Sequence, residues 1–86
     1  MLAMLVEYDT EVRAFYVRVT EDVVVRTVEV SALVGVDVDS AGNVVGLELL
    51  CPPAEVTAGE RAALQARYPV ALAALAEVQR LIRPSA

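Results

Sequence analysis

An α+β fold, an antiparallel five-strand β-meander followed by a C-terminal helical segment, is what this 86-residue sequence predicts. Three observations carry it. Apolar residues alternate with period two through residues 1–50, a proline pair stands at Pro52 and Pro53, and residues 58–83 combine Ala, Leu, Arg and Glu with apolar positions at helical spacing. Period two sends successive side chains to opposite faces of a strand, whereas spacings of three and four keep them on one side of a helix. The length suits a single domain, 1–86, made of a sheet region (1–50), a Pro-rich linker (51–56) and a helical segment (57–83).

The strands are expected near 2–8, 13–20, 23–30, 33–38 and 44–50. In "AFYVRV", Phe15, Val17 and Val19 fall on one face, and Tyr16 and Arg18 on the other. In "VVVRTVEV", Val24, Val28 and Val30 alternate with Val25, Thr27 and Glu29; farther on, Val34, Val36 and Val38 alternate with Gly35, Asp37 and Asp39. β-branched and aromatic residues at this spacing suit half-buried antiparallel strands. Gly, Asp, Asn and Ser between them supply turn chemistry. "CPPAEV" then ends the sheet, because proline has no amide hydrogen to give to a ladder. Thr57 and Glu60 stand at capping-box spacing, which starts a helix at Ala58. Leu64, Ala71, Leu75, Val78 and Ile82 form its apolar stripe, and Pro69 should kink or split it at Tyr68.

Charge narrows the function. All seven basic residues are arginine, and neither lysine nor histidine is present. Residues 1–50 carry nine acids against three arginines, so the sheet region repels phosphate backbones and nucleic-acid binding is not expected. Without histidine, Ser–His and Cys–His nucleophile activation is excluded. Cys51 stands alone, with no partner for a disulfide or a structural zinc site. No apolar run reaches the roughly 18 residues of a membrane span. "MLAMLVEYD" has no basic n-region before Glu7, and a cytoplasmic protein without a cofactor is the expectation.

"VDVDSAGNVVGLE" places Asp37, Asp39, Gly42 and Glu48 at positions 1, 3, 6 and 12 of a calcium-loop pattern. Such a loop needs an oxygen ligand at position 5 and a helix on each side. Position 5 is Ala41, and both flanks alternate with period two, so the stretch reads as a β-hairpin. Asp37, Asp39 and Glu48 are left as weak metal candidates only.

"YDTEVRAFYVRV" (8–19), "RTVEV" (26–30) and "VDVDSAGNVVGLELL" (36–50) together resemble the small bacterial domain-of-unknown-function family 2283, over residues 6–50. Its members read YD, an aromatic-containing LYI-type strand, T-x-EV and a D-x-D-x-x-G-x-VVGIE hairpin. Arg13 departs from that pattern, standing where members usually carry an acid. The resemblance implies a β-meander domain without an assigned reaction. Some members are encoded beside small toxin-like proteins, which implies antitoxin-type regulation of a small partner.

Two functions from different classes follow. The first is a non-enzymatic interaction module, self-associating as a homodimer. Its interface is expected at Val70, Ala73, Ala74 and Leu81, apolar positions flanking the main helical stripe. The rival is a metal-assisted or hydrolase-like enzyme using Asp37, Asp39 and Glu48 on the sheet. A concave pocket lined by carboxylates favours the enzyme, and a flat sheet face with apolar helix surface favours the module.

Overall fold

The computed structural model describes residues 4–82, apart from the side chain of Ile82. Five strands, β1 (Leu5–Asp9), β2 (Ala14–Arg18), β3 (Arg26–Glu29), β4 (Val34–Val38) and β5 (Val44–Leu49), are followed by a 3-10 turn at Pro53–Glu55 and two helices, α1 (Ala58–Arg67) and α2 (Pro69–Ile82). The expected antiparallel α+β architecture is present. The ends expected at residue 2 for the first strand and at residue 83 for the helical segment lie outside the described residues, as does the packing of Ile82.

All four pairings are antiparallel, and the sheet order is β1-β2-β5-β4-β3. Strands β3 to β5 run as a meander and β1–β2 as a hairpin. The last strand in sequence closes the sheet by pairing with β2 as well as β4. A bulge between Asp37 and Val38 adjusts the β4–β5 register.

Turn chemistry fixes each connection. After β1, the Asp9 carboxylate accepts the amides of Glu11 (2.9 Å) and Val12 (3.4 Å), and Arg13 takes a positive φ of 55° to re-enter the sheet. After β3, the Ser31 hydroxyl accepts the amides of Leu33 and Val34. Ser31 also donates to Glu60, tying this turn to the first turn of α1. Thr57 and Glu60 form the predicted capping box: Thr57 Oγ1 accepts the Glu60 amide at 3.1 Å, and Glu60 Oε1 accepts the Thr57 amide at 2.8 Å. Pro69 splits the helical segment. α1 ends with Tyr68 as its cap, and Pro69 opens α2, where an amide hydrogen would have no intrahelical acceptor.

α2 lies across β5 and β2 on one face of the sheet, and α1 packs against α2. Val17, Val36, Leu47, Leu49, Leu64, Ala71, Leu75 and Val78 are completely buried between the layers. Arg61 adds a polar tie to this packing, its guanidinium donating to the carbonyls of Val56 (3.3 Å) and Pro53 (3.2 Å). Ala74, expected on an outward flank, is also completely buried in this core. The arc of α2 facing the sheet is wider than the stripe read from the sequence, and Ala74 lies inside it.

Candidate functional site

The opposite face of the sheet is uncovered, and register places its residues in two rungs. One rung is Glu7, Tyr16, Glu48, Gly35 and Glu29; the next is Leu5, Arg18, Gly46, Asp37 and Thr27. Four carboxylates and one arginine thus share a surface to which all five strands contribute. Thr27, Glu29, Asp37, Gly46 and Glu48, which belong to the stretches that carry the family resemblance, fall here.

Asp37 is held from two sides. The Tyr16 hydroxyl donates to Oδ2 at 2.9 Å from β2, and the Thr27 hydroxyl donates to Oδ1 from the edge strand β3. To reach Asp37, the Tyr16 ring crosses β5 directly above Gly46. A methyl group built on Gly46 would stand 2.3 Å from the Tyr16 hydroxyl oxygen and 2.6 Å from Cζ. Gly35 plays a smaller version of the same part, since its missing Cβ would lie 3.1 Å from Thr27 Cγ2. The two glycines let larger side chains lean across the strands and fasten four of them together.

Burial, followed by the hydrogen bond to Asp37 and the negative charge of that carboxylate, raises the Tyr16 hydroxyl from its ordinary 10.0 to about 12 against the opposing charge of Arg18. The folded chain therefore holds this proton more tightly than the unfolded chain. Stability from the contact is complete below pH 10.0 and is lost as pH climbs toward about 12. Urea titrations across that interval should show a fall in stability that is smaller in Tyr16→Phe. Equal losses in both proteins would mean the hydroxyl does not perform this role.

The three weak metal candidates are separated by their tasks. Asp39 has left the sheet face to hold the hairpin turn, accepting the amides of Ala41 and Asn43 at 2.9 Å each, with Gly42 at φ 83°. The Asn43 amide chiefly holds the Asp39 carboxyl below its ordinary value. Asp37 is occupied by two hydroxyls, and Glu48 stands exposed on the neighbouring rung. Among the described residues, no group of three Asp, Glu, Cys or His side chains is gathered to hold a metal ion. Calcium titrated into the protein at low salt should give no dissociation constant at or below ~10 µM, the range of sensor loops. A constant that tight would overturn the assignment of residues 37–48 as a plain hairpin.

A shallow groove beside the β1–β2 turn is lined by Glu7, Asp9, Glu11, Tyr16 and Glu48, and it is widely open to water. Asp9 is already engaged by the turn. Arg18 donates to the Asp22 carbonyl at 3.3 Å, and Arg26 is in register with core-facing Val38. Among the described residues the ion pair within 4.0 Å is Glu77–Arg80 on α2. Of the expected interface positions, Val70 and Leu81 are 40% and 55% exposed, Ala73 is exposed, and Ala74 is not. Sequence reasoning did not single out Tyr16, although its alternation with the core-facing Phe15 and Val17 already placed it on the face with Arg18.

No match was found among curated proteins or among solved structures. The family model described as "Protein of unknown function (DUF2283)" matches residues 5–51, more than half the chain and all five strands. The chain belongs to the DUF2283 family.

Proposed function

We propose that this chain is a non-enzymatic, self-associating interaction module whose open sheet face takes a small basic partner protein, in the manner of an antitoxin. The observation that supports this most is the clamped Asp37 within an acidic sheet face. Tyr16 and Thr27 spend their hydroxyls on holding that carboxylate, which stiffens the face across four strands. Glu7, Glu29 and Glu48 are left exposed around it. A rigid face with unpaired charge is suited to recognition, because little side-chain freedom is lost on docking and opposite charge steers the encounter. Acid–base chemistry would instead require two carboxylates in dissimilar, enclosed surroundings. The groove beside these residues is open.

The test compares the wild type with a Glu7→Arg/Glu48→Arg variant, both tagged and purified from a native host. A basic protein retained by the wild type at low salt, released by high salt and lost from the variant is the expected result. Retention unchanged by charge reversal would remove the sheet face from the proposal. A hydrolytic activity abolished by Glu48→Gln would replace it with the enzyme reading.

A further inference from the structure

Self-association needs a surface, and the outer side of α2 is poorly made for it. Val70 and Leu81 lie about 16 Å apart along the axis, three turns at 1.5 Å per residue. The Glu77–Arg80 ion pair occupies the strip between Ala73 and Leu81. A better surface lies where the helical layer stops short of the sheet. Tyr8 and Phe15 face each other across β1 and β2 at that end, with ring centroids 4.5 Å apart. Leu33 and Leu50 stand beside them, joined by the hydrogen bond from the Leu50 amide to the Leu33 carbonyl at 2.8 Å. The four side chains line a groove with Arg13 and Glu55. This groove leaves Tyr8 49%, Leu33 46% and Leu50 44% exposed.

We infer that this groove is the contact between two copies of the chain, related by a two-fold axis; the inference rests on the self-association proposed above. The two charges of the groove identify the occupant. Arg13 and Glu55 have opposite signs, and among the described residues neither forms a salt bridge within the chain. A second copy brings the same apolar side chains and the same two charges, so Arg13 of each protomer can meet Glu55 of the other. In a two-fold contact each such pair occurs twice.

Light scattering and sedimentation over a concentration series decide the matter, with circular dichroism confirming that each variant is folded. The wild type should be a dimer. Arg13→Glu and Glu55→Arg should each weaken dimerisation about tenfold or more, because each places like charges opposite one another twice. The double variant Arg13→Glu/Glu55→Arg should recover most of that loss, and Leu50→Glu should give monomers. A dimer indifferent to these changes but dissociated by Val70→Glu would move the contact to α2, overturning the inference while self-association stands. A wild-type mass near 9.2 kDa at every concentration would end both.

Discussion

Ala74→Glu should unfold the protein, while Ala73→Glu, one residue earlier, should leave it almost untouched. Ala74 is completely buried in the core, and Ala73 is exposed. A carboxylate forced in at Ala74 would lie among the aliphatic side chains that fill that core. Burying it uncompensated costs about 4 kcal/mol or more. A domain of this size commonly has about 4–13 kcal/mol of total stability, scaled per residue, so such a loss removes much or all of it. At Ala73 the same side chain points into water, where exposed substitutions usually stay within about 0.5 kcal/mol. Urea denaturation of the two variants reads the difference directly. Equal midpoints would contradict the orientation of α2.

Leu47→Ala should cost about 2–5 kcal/mol, the range for a leucine truncated in a core that cannot close around the gap. Leu47 is completely buried on the central strand, with Val17 and Val36 as its neighbours in register on either side. Both neighbours belong to strands held by hydrogen bonds, which limits collapse into the cavity. Leu50→Ala, three residues on and 44% exposed, provides the internal comparison and should cost less than about 1 kcal/mol in the dilute monomer. A similar loss at both positions would mean that Leu47 is no better buried than Leu50.

Much of this arrangement was legible because alternation is a local property. Phe15, Val17 and Val19, or Val34, Val36 and Val38, announce a buried face without reference to the rest of the chain. Capping at Thr57 and the break at Pro69 are equally local, each needing only a few neighbouring residues. The exposed run Val23–Val25 shows where the rule stops. It alternates as part of an expected strand 23–30, yet β3 begins at Arg26. Val25 still donates its amide to Val38 at 2.8 Å, but β4 ends there in the Asp39 turn, so Val23 and Val24 have no strand to pair with. Ala74 reads from the sequence as a flanking position because a small residue marks the border of a helical stripe weakly. The polar face was half legible: period two sets Thr27 and Glu29 on one face of their strand and Asp37 on one face of the next. The clamp on Asp37 was not, because it depends on β5 lying between β2 and β4. Only that order puts Gly46 beneath the Tyr16 ring.

The same strand order dictates how the chain must assemble as it is made. β1–β2 and β3–β4 are each joined by a short connection and can pair as soon as both strands exist. Neither hairpin touches the other in the finished sheet until β5 arrives between them. Phe15 pairs with Leu49, a separation of 34 residues, so closing that ladder carries the largest loop entropy among the strand pairings. During synthesis the nascent sheet is therefore two ribbons with facing unpaired edges, and residues 44–49 are the missing stave. The helices that bury its inner face come later still. Folding to a sheet is thus a late, nearly all-or-none event, gated by one strand that supplies both the centre of the core and the glycine beneath the polar clamp.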